Sequence, residues 1–170
     1  FANKGIRVEP LFVTRIEDSY GNTIANFTPQ MSEVLTEDAS YKMLHMLKSV
    51  IDGGTGGRVR FRYGIKAEMG GKTGTTQNNS DGWFMGFTPS LVSGCWVGGE
   101  DRSIHFDRLA EGQGASMALP IYALYMQKVY KDKTLGYSED ETFEIPEKYA
   151  NPCSEGGEED SPTTPPDTGG

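Results

Sequence analysis

The chain has 170 residues, the length of one ordinary domain, and a formal net charge of −8 from 24 acids against 16 bases. Residues 138–170 hold ten acids and one base, Lys148, whereas residues 1–137 hold fourteen acids and fifteen bases. A body of net +1 has no basic footprint for a nucleic acid, and no apolar run reaches the ~20 residues of a membrane span. Two cysteines, Cys95 and Cys153, are too few for a disulfide framework, and Cys95 lies in an apolar run that predicts a buried thiol.

Taken in order, Phe1–Gly5 reads as a helix end, with Gly5 at the usual C-terminal position. Leu11–Asp18 and Thr23–Phe27 read as strands about a Ser19–Asn22 turn. Thr36 is a good N-cap, with Glu37 and Asp38 favoured in the first turn of a helix. That helix should turn Ala39, Met43, Met46, Leu47 and Val50 toward a core and stop at Asp52-Gly53-Gly54. The glycines at 53, 54, 56 and 57 suggest a loose connection, and Arg58–Tyr63 alternates basic and apolar residues at strand period.

Gly70–Thr76 reads as a strand, followed by a polar turn over 77–81. Trp83–Phe87 and Leu91–Val97 are apolar strands joined by Thr88-Pro89-Ser90, a hairpin connection. The second is almost continuously apolar, which predicts a strand covered on both faces, with Trp83 and Trp96 in the core. A last helix spans about Gly114 to Lys131, with Pro120 at its first true turn or at a kink. Regular patterning fades after Lys133. Residues 151–170, with four prolines, four glycines and five acids, have a disordered composition. The expected class is α+β, an antiparallel sheet packed by helices, with a body over 1–137 and an acidic tail over 138–170.

The chemistry-bearing motif is Gly70-Gly-Lys-Thr-Gly-Thr-Thr76. A phosphate loop would need glycine at position 66, where Lys66 stands, and would open a helix, whereas strand pattern follows. Lys-Thr-Gly on a strand suits a different ligand. A cation at Lys72 and hydroxyls at Thr73 and Thr75 can hold a terminal carboxylate. Gly74 has no side chain, so an extended ligand can lie against the strand and pair with it. The tripeptide alone arises by chance in roughly one chain in fifty of this length, so its neighbours must carry the argument.

They do. Ala67–Ser103, AEMGGKTGTTQNNSDGWFMGFTPSLVSGCWVGGEDRS, resembles the transpeptidase domain of class A penicillin-binding proteins, in the penicillin-binding and serine β-lactamase-like superfamily. Asp81, Trp83, Phe84, Gly86, Phe87, Thr88, Pro89, Trp96, Val97 and Gly98 match that pattern in order and spacing. Phe1–Gly5, the Leu11–Phe27 hairpin, Gly53–Gly56 and Ala118–Met126 also have counterparts, so the resemblance covers about 1–133. It implies the C-terminal part of that fold. Lys72 would set the electrostatics of a cleft, and Thr73, Gly74 and Thr75 would bind a D-Ala-D-Ala stem peptide or a β-lactam. The N–H of Thr75 would be one of two oxyanion donors. Pleating puts residues 72 and 74 on one face and 73 and 75 on the other, so they can share a ligand only along a strand edge.

No serine in the chain is followed three residues later by lysine, so the family's Ser-x-x-Lys nucleophile is absent from these 170 residues. Its Ser-x-Asn motif is absent as well, because Ser80-Asp81-Gly82 ends in glycine and follows the Lys-Thr-Gly strand. The resemblance thus implies a chain inactive alone, within a serine-type transpeptidase of the extracytoplasmic face whose membrane anchor lies elsewhere. A sheet covered only in part should self-associate or pair with an upstream half. The competing expectation is a non-catalytic cell-wall or partner-binding module with a relic strand. His45 and His105 have no ligand-spaced partners, so neither metal nor cofactor is expected. Arg58, Arg60 and Arg62 read as a solvated face.

Overall fold

Residues 1–150 are described by the structure, a computed structural model; Cys153 and the tail expected to be disordered lie outside the described residues. Two small antiparallel ribbons open the chain. Strand β1 (Ile6–Val8) pairs with β4 (Met31–Glu33), and β2 (Arg15–Glu17) pairs with β3 (Thr23–Asn26). The β2–β3 turn is the expected one, because Asp18 accepts the N–H groups of Tyr20 and Asn22. The β1–β4 ribbon was not legible, since three-residue strands carry too little alternation to register. Gly5 sits at φ +86°, and a Cβ there would meet the Leu35 carbonyl oxygen at 2.1 Å, so the turn needs glycine.

Helix α1 (Glu37–Asp52) starts where the sequence predicts, with the Thr36 hydroxyl accepting the Ala39 N–H at 3.2 Å. Its buried residues are Ser40, Leu44 and Ile51, not the predicted face. Met46 is 57% exposed. Ser40 donates to the Phe1 carbonyl at one end of α1, and Ile51 lies over Gly71 at the other. Those two contacts fix the rotation of the helix.

Arg58–Phe61 is a helical turn, α2, rather than a strand. The glycine loop before it delivers the backbone directly into helical bonds, Val59 N–H to Gly56 and Arg60 N–H to Gly57. Arg58 and Arg60 are structural rather than part of a solvated row, whereas Arg62 is exposed as expected. Arg58 donates to the Ala115 carbonyl and the Ser116 hydroxyl, and Arg60 to the carbonyls of Ile65 and Ala67. Alternation at 58–63 thus reflects one buried residue, Val59, beside hydrogen-bonding arginines.

The central sheet is a consecutive meander, β5 (Gly70–Thr75), β6 (Asp81–Phe87) and β7 (Val92–Gly98), antiparallel throughout. After it comes a short turn, α3 (Leu109–Gly112), and the long helix α4 (Gly114–Lys131). Pro120 lies inside α4, which stays continuous around it. Helices α1 and α4 cover one face of the sheet, and Ile51, Met69, Phe84, Leu119, Tyr122 and Met126 form the core between. The glycines of β6 make this close approach possible, because a Cβ at Gly86 would stand 2.4 Å from the Tyr122 hydroxyl.

The opposite face is open around Trp83, Met85 and Trp96, which corrects two expectations, and a third is corrected on the covered face. β7 alternates between exposed and half-buried residues because only α4 packs on it. Trp83 and Trp96 are 45% and 47% exposed, neighbours on the open face rather than core. Cys95 lies opposite Phe84 on the helix-covered face of the outer strand and is half-buried rather than buried, and desolvation pushes its thiol pKa up.

Residues 138–150, where regular patterning has faded, form a strap across the body, ending in the short turn α5 (Glu147–Ala150). Glu141 meets Ser90, Glu144 meets Lys4, and the Phe143 ring stands 5.8 Å from that of Phe87. Two carboxylates hold the strap. Glu68 accepts the Phe143 N–H at 2.7 Å, and Asp38 accepts the Tyr149 hydroxyl. Burial raises the Glu68 pKa, but the Lys48 ammonium and the Phe143 N–H outweigh it, leaving a lowered value. The Tyr149 hydroxyl and Lys42 hold Asp38 well below the usual carboxylate range. Lowered native values stabilise the strap fully above the unfolded pKa, about pH 4, and that contribution is lost as the pH falls through the native values. The protection factor of the Phe143 amide should therefore fall between about pH 5 and about pH 2. A factor constant over that range in hydrogen exchange would contradict this.

Candidate carboxylate-binding strand

Strand β5 pairs with β6 alone among the described residues, so its other edge is free. Its register sets Lys72 opposite Met85, Thr73 opposite Phe84, Gly74 opposite Trp83 and Thr75 opposite Gly82. Lys72 and Gly74 therefore share the open face with Trp83 and Met85. A Cβ at Gly74 would stand 3.2 Å from the Trp83 Cβ. Thr73 and Thr75 share the helix-covered face with Phe84. The division that pleating demands is present, and one ligand can meet both sets only along the free edge.

Each polar group on β5 has one neighbour. Lys72 Nζ donates to the Thr73 carbonyl at 2.8 Å, which holds the exposed ammonium against its own strand. Thr73 Oγ1 lies 2.9 Å from Thr55 Oγ1. Thr75 Oγ1 accepts the N–H of Gly114, the first residue of α4, at 3.0 Å. Gly114 reaches that position only as glycine, since its Cβ would stand 2.3 Å from the Gly74 carbonyl oxygen.

The β5–β6 turn is tied by Asp81. Its carboxylate accepts the Trp96 indole N–H at 3.0 Å, the Thr76 hydroxyl at 3.0 Å and the Ser80 hydroxyl at 3.2 Å. Those bonds, led by the indole, lower its pKa. The motif thus ends on a fixed carboxylate that anchors strand and turn together. Among the described residues, no group of three or more His, Cys, Asp or Glu side chains could hold a metal ion, and no helix is long and apolar enough to cross a membrane.

Two features escape the sequence reading. Gly114 gives no clue that its N–H reaches a strand far earlier in the chain. Thr55 stands in a glycine run that composition predicts to be loose, whereas the loop is tight. A Cβ at Gly54 would meet the Val50 Cα at 2.9 Å, and one at Gly56 would meet the Ile51 Cδ1 at 2.8 Å. A single side chain amid four glycines was the available signal.

The fold has counterparts among solved structures. Penicillin-binding protein 1A from Haemophilus influenzae aligns with a TM-score of 0.69 and 23% identity, over 86% of this chain and 26% of that one. The D,D-transpeptidase domain of a peptidoglycan glycosyltransferase from Eggerthella lenta aligns at 0.52 and 20% identity, over 75% of this chain and 30% of that one. The sequence comparison goes further. The penicillin binding protein transpeptidase domain family matches residues 1–94. Penicillin-binding protein 1A of Aquifex aeolicus is 36% identical over 146 residues, covering 86% of this chain. That of Rickettsia conorii is 34% identical over 155 residues, covering 78%. The chain belongs to the penicillin-binding protein transpeptidase family. It spans 19% of the length of each of these two relatives.

Proposed function

We propose that this chain is the part of a peptidoglycan D,D-transpeptidase that grips the carboxylate end of the donor stem peptide. The observation that carries the reading is the free edge of β5, flanked by the Lys72 ammonium and the hydroxyls of Thr73 and Thr75. In the whole enzyme a serine oxygen attacks the carbonyl between the two D-alanines, the C–N bond breaks, and D-alanine leaves with the proton on its amine. An amine of a second stem peptide then attacks the ester, forms the new amide and restores the serine hydroxyl. β5 holds the peptide in line for attack, and the Thr75 N–H donates to the developing oxyanion. A β-lactam presents its own carboxylate to the same groups. Peptidoglycan as substrate places the reaction on the extracytoplasmic face of the membrane. The open face bearing Trp83, Met85 and Trp96 is the surface where a second copy or an upstream half would pack.

The test is binding of N-acetyl-D-Ala-D-Ala against its C-terminal amide, followed by NMR titration. The free acid should bind more tightly, and Lys72→Ala should cost the acid about tenfold while sparing the amide. Because the 170 residues contain no Ser-x-x-Lys, a fluorescent penicillin should leave no covalent label. Equal affinity for acid and amide would sink the carboxylate reading, and a stable labelled band would show that a nucleophile is present after all.

A further inference from the structure

Thr55 is the only side chain in the run Gly53-Gly-Thr-Gly-Gly57, and it reaches the Thr73 hydroxyl at 2.9 Å. The run is bound to the end of α1 by Gly56 N–H to the Val50 carbonyl at 2.9 Å, and to itself by Gly57 N–H to the Gly54 carbonyl at 3.0 Å. The loop is therefore a fixed mount for one hydroxyl. We propose that Thr55 is a positioning residue, whose hydroxyl donates to Thr73 Oγ1 and so leaves the Thr73 proton directed at the ligand's carboxylate. The inference rests on the carboxylate reading of β5 and adds a residue to it.

Hydroxyl chemistry supplies the direction of the bond. A threonine hydroxyl has one proton and two lone pairs, and a carboxylate only accepts. A Thr73 hydroxyl that spent its proton on Thr55 would turn a lone pair toward the anion, a repulsive contact. With Thr55 donating, the Thr73 proton is free and is polarised by the bond its oxygen accepts. The neighbouring hydroxyl shows the same arrangement with no ambiguity of direction. At Thr75 the outside group is a backbone N–H, that of Gly114, which can only donate. With Thr55 donating, both hydroxyls of the strand meet a donor from a different element, the α1–α2 loop for one and the start of α4 for the other. Each would be left with its proton for the ligand.

Thr55 is exposed, so removing its hydroxyl leaves the core intact and the variant should fold. The experiment uses the full chain, with N-acetyl-D-Ala-D-Ala and its C-terminal amide as probes, in wild type, Thr55→Val, Thr55→Ser and Thr73→Val. Thr55→Val should lower affinity for the free acid roughly three- to tenfold and leave the amide unchanged, and Thr55→Ser should restore the acid. A merely structural role would move both probes together and would not need the hydroxyl. If Thr73→Val abolishes the preference for the acid while Thr55→Val retains it, this inference falls and the reading of β5 stands. Failure of Thr55→Ser to restore the acid would also overturn it. If wild type does not distinguish acid from amide, the reading of β5 falls and this inference with it.

Discussion

Gly114→Val should destabilise the protein by about 3 kcal/mol and detach the start of α4 from the sheet. The added Cβ would stand 2.3 Å from the Gly74 carbonyl oxygen and 2.4 Å from that of Trp83. Both obstacles are backbone in paired strands, so neither can rotate away, and the helix must move instead. The displacement withdraws the Gly114 N–H from Thr75 Oγ1. The variant should therefore show a lower urea midpoint together with an altered Thr75 environment in NMR. A midpoint within error of wild type would mean that α4 does not sit this close.

Phe84→Ala should cost about 3–5 kcal/mol by the same measurement, the range for deleting a fully buried phenylalanine. Phe84 is fully buried at the centre of β6, with its ring 4.7 Å from that of Tyr122 on α4. Hypothetical Cβ atoms at Gly56 and Gly71 both come within 3.5 Å of the ring, so it also supports the glycine loop and β5. Gly56 and Gly71 border the resulting cavity without side chains that could fill it, which keeps the cost at the upper end. A loss under about 1 kcal/mol would show that the site relaxes and would contradict this packing.

The meander and the two long helices were legible because their signals are local. A run of apolar residues at 83–87, a turn at 88–90 and a capping threonine at 36 each act within a few residues of themselves. Which side of an element is covered was not legible. Trp83 and Trp96 look like core by composition, but covering depends on α4 crossing one face only. The rotation of α1 is not legible for a similar reason, since contacts at Phe1 and Gly71 decide it. At Arg58–Tyr63, strand-like alternation came from arginines that serve carbonyls in other segments. The Lys-Thr-Gly strand could be read from sequence because its residues are contiguous. The partners of its hydroxyls, Thr55 and Gly114, lie 18 and 39 positions away and could not.

Among the described residues the two outer strands of the meander pair with no further strand, and their edges differ in what they invite. Gly70–Thr75 carries Lys72 and three glycines, a strand that resists stacking on its own kind because charge and low β-propensity both oppose it. Val92–Gly98 reads Val-Ser-Gly-Cys-Trp-Val-Gly, with no charge and no proline to guard it. In concentrated solution, strand-to-strand association should therefore begin at β7 and leave the lysine edge unobstructed. A charge introduced on β7 should therefore raise solubility while leaving the Lys72 edge, at the opposite margin of the sheet, unchanged.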